Sequence, residues 1–281
     1  MSAVADARGR GPSARGLCWF EALTGQPGLL ASGPRTVRVA DAPLGAETAR
    51  FVAVVPDAVN RFPRARCGEV GLDEAWTLAH EVRRVIDADR NRRPRALIAV
   101  VDVTSQAYGR REELLAIHLA GAAAADAYAS ARLAGHPVIA LLVGKAMSGA
   151  FLTHGYQANR ILALDSPDVL IHAMSKESAA RVTRRTVEAL EELGERITPM
   201  AYDVRSFAKL GLLHRLIAGV AGDAPGAADV ARVRAELTAA IADARSAPRD
   251  LTSRLTSEAA GTVRAASIEV RRRLAEEWDA S

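Results

Sequence analysis

Apolar and polar residues form two kinds of run along the chain. Short runs that are apolar throughout, or at every second position, predict strands at 36–40, 50–56, 95–103, 136–143, 160–165 and 168–174. Longer runs with helical spacing predict helices at 71–91, at 110–135 and from Ser175 onward, including 226–245 and 262–280. Because fully apolar strands alternate with long helices, we expect an α/β fold with a mainly parallel sheet and right-handed crossovers.

Three of these elements carry specific expectations. The first two strands, joined by a loop that contains Pro43 and Gly45, are expected to pair as a hairpin. Helix 110–135 is expected to lie close against a neighbour through its small residues, 121–125, and to end at Gly135. Helix 71–91 places one set of side chains on its apolar side: Leu72, Ala75, Trp76, Ala79 and Val82.

Length and composition indicate an ordinary globular protein. The chain has 281 residues, of which 49% are hydrophobic and 25% are charged, so it can bury a substantial core. We predict a disordered tail at 1–15, a main domain at 16–220 and a helical extension at 221–281. No apolar run reaches the length of about 18 residues needed to span a membrane, and the first residues lack the apolar segment of an export signal.

Charge and cysteine content exclude several function classes. The net charge of +4 is spread over loops and the N-terminal tail rather than gathered in one stripe with aromatic residues, which argues against nucleic-acid binding. The two cysteines, Cys18 and Cys67, form no CxxC motif, which fits a reducing compartment and predicts a cytoplasmic protein. The spacing of His, Cys, Asp and Glu predicts no metal site.

The segment 138–157, VIALLVGKAMSGAFLTHGYQ, has the strongest chemical signal, because an apolar strand ends in a turn of small residues before a short helix. A phosphate-binding loop is disfavoured, since Ile139 occupies its first glycine position and Ala146 follows Lys145. A serine nucleophile at Ser148 fits the strand-to-helix context. However, neither His154 nor His172 has an Asp in an obvious triad order.

The same turn also suits a function that uses the backbone. Small residues at such a junction can leave the amides of Met147, Ser148 and Gly149 free to donate hydrogen bonds to a ligand oxygen, as in an oxyanion hole. Alternatively, the residues are small only because the helix packs tightly on the sheet. The residues alone leave these interpretations open. His118, His154 and His172 are each expected to be structural rather than catalytic.

Longer blocks point to a family. The segments VDVTSQAYGRREE (101–113), GHPVIALLVGKAMSGAF (135–151) and NRILALDSPDVLIHAMSKESAA (159–180) resemble the carboxyltransferase branch of the crotonase superfamily. The segments ARFVAVVPDAVNRFPRARCGEVGLDEAW (49–76), SQAYGRREE and MAYDVRSFAKLGLLHRLI (200–217) are similar to the gamma subunit of biotin-independent malonate decarboxylase. The resemblance covers roughly residues 15–217. It implies a crotonase-like spiral of ββα units with flanking helices.

The resemblance also implies a reaction and partners. In that family the gamma subunit pairs with a homologous beta subunit, and the pair converts a malonyl thioester on an acyl carrier protein to the acetyl thioester and carbon dioxide. An alpha, acyl transferase, subunit belongs to the same complex. The carrier protein presents a prosthetic arm of the dephospho-coenzyme A type, so this chain is expected to bind no cofactor of its own and no metal.

Site residues follow from the same resemblance. The turn between the apolar strand and the short helix, which we call the elbow, contributes Gly144, Met147, Ser148 and Gly149 as catalytic candidates. The loop before helix 110–135 contributes Gly109 and Arg110 as further catalytic candidates. The candidates for substrate binding are Gln106, Tyr108 and Arg111. Arg110 is the preferred cation for the departing carboxylate, ahead of Arg111. Biotin-dependent relatives carry a second glycine where this chain has Ala150 and then Phe151, so a pocket filled in this way is expected to exclude biotin.

The sequence therefore leaves three function classes open. The first is a decarboxylase subunit that acts through backbone hydrogen-bond donors at a subunit interface. The second is a serine hydrolase that uses Ser148. The third is a noncatalytic scaffold for a homologous catalytic partner.

Overall fold

A computed structural model of the protein describes residues 11–279, and these residues form an α/β fold around one sheet. The strands are β1 (Val37–Leu44), β2 (Glu47–Val54), β3 (Leu97–Val103), β4 (Val138–Met147), β5 (Arg160–Leu164), β6 (Ile171–His172) and β7 (Arg215–Ile217). The sheet has the order β1-β2-β3-β4-β5-β7, and β6 pairs with the end of β4. All pairings except β1–β2 are parallel, which confirms the predicted fold class.

Helices cover the sheet and form the C-terminal part of the chain. The first five are α1 (Arg15–Thr24), α2 (Leu72–Ala88), α3 (Arg110–Leu114), α4 (Ile117–Leu133) and α5 (Ser148–Thr153). Four more are α6 (Lys176–Thr183), α7 (Val187–Arg196), α8 (Val204–Lys209) and α9 (Ala227–Ser246). The chain then continues with α10 (Ser253–Thr256), α11 (Glu258–Val263) and α12 (Ala265–Asp279). Within 11–279, no helix combines the length and apolar character needed to cross a membrane.

The predicted hairpin is present, but its loop is shorter than expected. Strands β1 and β2 pair in register from Val37 with Val54 to Leu44 with Glu47. The turn between them uses Gly45 at φ 62°, a left-handed conformation that glycine adopts without strain. Pro43, which the sequence placed in the loop, lies inside β1. An edge strand tolerates proline because one of its sides needs no donors.

The predicted disordered tail is wrong for the residues that the structure describes. Residues 1–10 lie outside the described part, but residues 11–14 lead directly into α1, and the sequence pattern did not reveal this helix. Trp19 and Phe20 of α1 are fully buried in the central core. Their packing makes α1 part of the same hydrophobic core as the sheet.

The helix predicted at 110–135 is broken in two. Ala116 takes a left-handed conformation at φ 58°, so the chain changes direction between α3 and α4. Helix α4 does pack on α2, but of the small residues 121–125 only Ala124 is buried, and the other buried alanines of α4 are Ala120, Ala127 and Ala131. On α2 the predicted apolar side is correct except for Trp76, which is 51% exposed beside a stripe that Leu78 and Val85 complete.

The C-terminal region is not uniform in its packing. Helix α9 buries Val233, Leu237 and Ile241 in the same core as the sheet, whereas α12 buries no side chain. The predicted boundary at residue 220 therefore does not coincide with a change of hydrophobic core. The predicted helices 226–245 and 262–280 agree with α9 and α12 to within a few residues.

A histidine lies in the centre of the molecule, and its interactions are structural, as expected from the sequence. The sequence placed His154 inside the elbow helix, but it follows the last residue of α5 and is fully buried. Its Nδ1 lies 3.0 Å from the Tyr128 hydroxyl and its Nε2 lies 3.1 Å from the Val100 carbonyl. Because a carbonyl only accepts, Nε2 carries the proton, and Nδ1 accepts from Tyr128. Burial lowers the pKa of His154 to about 4.

This histidine predicts a specific loss of stability in acid. Between pH 6.5 and pH 4 the unfolded chain binds a proton at His154 that the folded chain does not, so the free energy of unfolding should fall as pH falls, by about 1.4 kcal/mol per pH unit from this group. Urea unfolding of the purified chain and of His154→Gln at several pH values measures this effect. The variant should show the shallower dependence, and parallel curves would contradict the assignment.

Candidate active site

The elbow begins later than the sequence indicates, because β4 continues through Gly144 to Met147. Its last residues pair with β6, Ala146 with Ile171 and Met147 with His172. The chain then turns at Ser148, which has φ 58° and begins α5. A left-handed serine between a strand and a helix is a strained conformation that favours a functional explanation over simple packing.

A buried carboxylate at the end of β3 fixes the backbone of β4 just before the elbow. Asp102 is 4% exposed, and its Oδ1 accepts a hydrogen bond from the Lys145 amide at 3.0 Å. Its Oδ2 accepts from the Gly16 amide at 3.2 Å and from the hydroxyl of Ser13. A side chain at Gly144 would overlap this carboxylate, so only glycine fits there. Asp102 therefore fixes the path of β4 just before the turn.

The N-terminal segment makes a second contact that holds β4 in place. Arg15 is 6% exposed and pairs with Asp168 at 3.0 Å and with Asp223 at 2.6 Å. The hydrogen bonds that Arg15 donates to the Asp223 carboxylate raise the pKa of Arg15 further above its usual range. Arg15 also donates to the Val143 carbonyl at 3.4 Å. The guanidinium therefore ties the start of the chain to β4 one residue before Gly144.

Sequence reasoning did not assign roles to Asp102, Ser13 or Arg15. A single acidic residue within the apolar run 95–103 was a usable signal for Asp102, because a buried carboxylate needs donors around it. No comparable signal identifies Ser13 or Arg15, which belong to the stretch predicted to be disordered.

The loop after β3 meets the elbow through one side chain. Gln106 Oε1 accepts a hydrogen bond from the Gly149 amide at 2.9 Å. Gly149 lies at the second position of α5, and a Cβ there would be 3.0 Å from the same oxygen. The structure thus joins the predicted loop residue to the predicted elbow. It also shows that the Gly149 amide is already engaged by a side chain.

An apolar cavity of about 600 Å³ lies beside the turn. Ser148 and Gly149 line one side of it, and its walls include Phe151, Ile171 and Phe207. His172 also lines it, and burial lowers the pKa of this histidine, whose ring stacks on Tyr202 with centroids 3.9 Å apart. The cavity is also lined by three residues from the end of α11 to the start of α12: Val263, Arg264 and Ser267. A mostly apolar enclosure of this size suits a ligand that is larger than carbon dioxide.

A more polar cavity of about 830 Å³ lies on the side of Asp102. Gly144 and Met147 contribute to it from the elbow, and Ser13 and Arg15 from the N-terminal segment. The four predicted elbow residues therefore lie between two cavities, with Gly144 and Met147 lining one and Ser148 and Gly149 the other.

The remaining predicted residues lie on the exposed loop and on α3. Tyr108 is 53% exposed, and Gly109 packs so closely on Glu112 that a Cβ would lie 2.7 Å from its carboxylate. Arg110 and Arg111 are both exposed, and Arg111 lies over the Phe62 ring at 4.8 Å. No ion-pair partner of Arg110 occurs among the described residues. Neither arginine lines either cavity.

Geometry does not assemble a serine-hydrolase triad in the described chain. His154 is committed to Tyr128 and Val100, and His172 Nδ1 lies 3.1 Å from the Met174 carbonyl. No hydrogen bond links the Ser148 hydroxyl to either ring. Residues 11–279 also contain no group of three or more His, Cys, Asp or Glu side chains arranged to hold a metal ion.

Comparison with known proteins identifies close relatives. The family described as malonate decarboxylase gamma subunit matches residues 65–278. A chain of the Pseudomonas malonate decarboxylase hetero-tetramer in complex with coenzyme A is 56% identical, with a TM-score of 0.90, and the match covers 94% of this chain and 99% of that one. A chain of the Pseudomonas MdcD–MdcE hetero-dimer is 55% identical over the same shares, with a TM-score of 0.86.

More distant relatives extend the comparison. Malonyl-S-ACP:biotin-protein carboxyltransferase MADD of Malonomonas rubra is 36% identical over 195 residues, which are 68% of this chain and 66% of that protein, just under two thirds of its length. The transcarboxylase 12S core with methylmalonyl-coenzyme A bound is 19% identical, with a TM-score of 0.63 over 88% of this chain and 44% of that one, and this likeness shows the fold alone. The crotonase-like carboxyltransferase fold expected from the sequence is thereby confirmed. With a family match over most of its length and more than half of its residues identical to those of solved relatives, this chain belongs to the malonate decarboxylase gamma subunit family.

Proposed function

We propose that this chain works with a homologous beta-type subunit to decarboxylate a malonyl thioester carried on an acyl carrier protein. The products are the acetyl thioester and carbon dioxide, and the complex is a carbon–carbon lyase. The observation that supports a catalytic role of this chain most directly is the elbow, where Ser148 is strained and Gln106 is bound to Gly149. The family membership supports the choice of substrate.

The chemistry requires stabilisation of negative charge. When the bond between the carboxylate carbon and the central carbon breaks, its electron pair forms an enolate whose charge lies largely on the thioester oxygen, and carbon dioxide leaves. A proton then adds to the carbon to give the acetyl group. Fixed hydrogen-bond donors in a site that excludes water stabilise this charge without having to reorganise. The 600 Å³ cavity beside Ser148 and Gly149, whose walls are mostly apolar, supports the proposal that this environment forms at the elbow.

The beta-type subunit is proposed to complete the site. We propose that the beta-type subunit holds the acyl thioester and that this chain faces the departing carboxylate. Arg110 is the better candidate than Arg111 to attract that carboxylate, since Arg111 already lies over Phe62. The elbow residues Gly144, Met147, Ser148 and Gly149, with Gly109, would shape the donor site. Gln106 and Tyr108, which line neither of the two cavities, would contact the substrate from the neighbouring loop.

Partners and location complete the proposal. The relatives form a hetero-dimer and a hetero-tetramer, and we propose that this chain likewise assembles with a beta-type subunit, an alpha-type acyl transferase and the acyl carrier protein. The carrier's dephospho-coenzyme A-type arm would deliver the substrate, so this chain would need no cofactor. Ala150 and Phe151 are 0% and 4% exposed, which supports the proposal that they occupy the place of the biotin-dependent relatives' glycine and exclude biotin. The free thiols of Cys18 and Cys67 fit the cytoplasm.

The proposal is tested by measuring carbon dioxide release from a malonyl thioester of the carrier arm. Three samples are compared: this chain alone, the beta-type subunit alone, and the two co-purified. Activity in the co-purified pair only is expected. Equal activity of the beta-type subunit alone would make this chain a scaffold and refute its catalytic role.

Removal of the Ser148 hydroxyl should have a small effect. We expect Ser148→Gly and Ser148→Ala to keep carbon dioxide release within about tenfold of wild type, whereas loss of a nucleophile would cost several orders of magnitude. Glycine is the cleaner variant because it adopts φ 58° without strain. A fluorophosphonate should leave Ser148 unlabelled, and its labelling would favour the hydrolase alternative.

A further inference from the structure

The backbone of Gln106 is firmly held. Residues Val70 and Gln106 form a parallel bridge, in which the Val70 amide donates to the Ser105 carbonyl at 3.0 Å and the Ala107 amide donates to the Val70 carbonyl at 2.8 Å. The Gln106 carbonyl accepts from the Tyr108 amide at 2.9 Å. The backbone of Gln106 is therefore fixed, and its side chain extends from there to the elbow.

The contact with Gly149 also identifies which end of the Gln106 side-chain amide is the oxygen. An amide N–H can only donate, so the atom 2.9 Å from the Gly149 nitrogen must be the side-chain oxygen. The side-chain nitrogen lies 3.6 Å from the place that a Cβ on residue 149 would take. Within residues 11–279 this NH₂ group has no hydrogen-bond partner.

We propose that the Gln106 side-chain NH₂, and not the Gly149 amide, is the hydrogen-bond donor that this chain offers to a negatively charged oxygen of the substrate. The inference rests on the proposed function and names the donor within it. The Gly149 N–H bonded to Oε1 polarises the side-chain amide, which strengthens its NH₂ as a donor. The ligand class is an oxyanion: a carboxylate or an enolate oxygen of a malonyl thioester.

The shape of the elbow supports this arrangement over an open backbone hole. A Cβ on residue 149 would lie 3.0 Å from Gln106 Oε1 and 3.2 Å from its Cδ, so glycine is what allows the side chain to seat on the amide. The alternative is that Gln106 is only a placeholder, a side chain that occupies the Gly149 amide until substrate binds. A substrate oxygen would then have to displace this bonded side chain to reach Gly149. A donor that is already oriented needs no such rearrangement.

Two substitutions at Gln106 separate the donor from the placeholder. Gln106→Glu keeps an oxygen for the Gly149 N–H but removes the NH₂, and Gln106→Ala removes both and uncovers the Gly149 amide. In the complex with the beta-type subunit, each should lower kcat for carbon dioxide release by at least about a hundredfold at pH 8, and Gln106→Glu by more than Gln106→Ala, with a small change in KM. A placeholder predicts instead that Gln106→Ala keeps or exceeds wild-type kcat.

A pH profile gives a signature that a merely structural role lacks. A protonated glutamic acid has both an acceptor oxygen and an O–H donor, so it can replace the amide. The kcat of Gln106→Glu relative to wild type should therefore rise by about tenfold per pH unit as pH falls from 8.5 toward 6, because the protonated fraction rises by that factor above the carboxyl pKa. A flat ratio would overturn the donor assignment.

Controls distinguish this inference from the proposed function. Gln26→Glu makes the same change at an exposed glutamine that binds the Asp41 carbonyl, and it should leave kcat and its pH dependence unchanged. Co-purification and thermal unfolding check that the Gln106 variants assemble. If the beta-type subunit alone has full activity, the proposed function fails. If the wild-type pair is active only together and Gln106→Ala is equally active, this inference alone fails.

Discussion

Gly149→Val is expected to lower carbon dioxide release by the two-subunit complex by about a hundredfold or more, with assembly intact. The first added atom would lie 3.0 Å from Gln106 Oε1, and the valine methyl groups would extend further toward that side chain. The backbone cannot move away easily, because Ser148 is already strained at φ 58° and β4 is paired up to Met147. Either Gln106 is expelled or its bond to the Gly149 amide breaks.

Substitutions of increasing size at residue 149 test this expectation. Gly149→Ala should fall between wild type and valine, because its single methyl is at the limit of normal contact. The control is Gly261→Val on α11, where an added Cβ meets nothing within 4 Å, and it should retain full activity. Activity is measured as carbon dioxide release, and assembly by co-purification with the beta-type subunit. Full activity of Gly149→Val would show that the elbow is a packing feature.

The strands were predictable because their signal is local. Segments 97–101 and 138–143 are apolar throughout, and the structure buries every residue of β3. The break between α3 and α4 was not predictable, since Leu115 and Ala116 fit a helical pattern and nothing near them disfavours a helix. The extension of β4 past Gly144 was missed for a related reason: its last residues are held by β6, more than twenty positions later in the chain.

The candidate site also has parts that could be predicted from the sequence and parts that could not. The elbow and its loop could be found from the sequence, because small residues after an apolar run are a local pattern. Its supports could not, because their bonds join distant segments: Gly16 to Asp102 across 86 positions and Arg15 to Asp223 across 208. Only the folded chain brings such pairs together. The direction in which a side chain such as Gln106 points is equally a property of the fold.

Gly144→Ala is expected to be the most destabilising change at the site, at about 3 kcal/mol in the free energy of unfolding. The new methyl would overlap the carboxylate of Asp102, which is fixed by its bonds to the Lys145 and Gly16 amides. To make room, the carboxylate must leave these buried donors or β4 must shift. Either response also displaces the turn that follows, so activity should fall together with stability.

A double-mutant cycle with Asp102→Ala tests this explanation. Asp102→Ala alone should destabilise the protein, because the Lys145 and Gly16 amides lose their acceptor. In that background the group that obstructs the methyl is gone, so adding Gly144→Ala should cost less than about 1 kcal/mol. Urea unfolding of the four proteins at pH 7 measures the coupling. Additive effects would mean that the glycine is required for another reason, such as the path of β4 itself, whereas strong coupling would establish that Asp102 and Gly144 act as one unit in positioning the elbow.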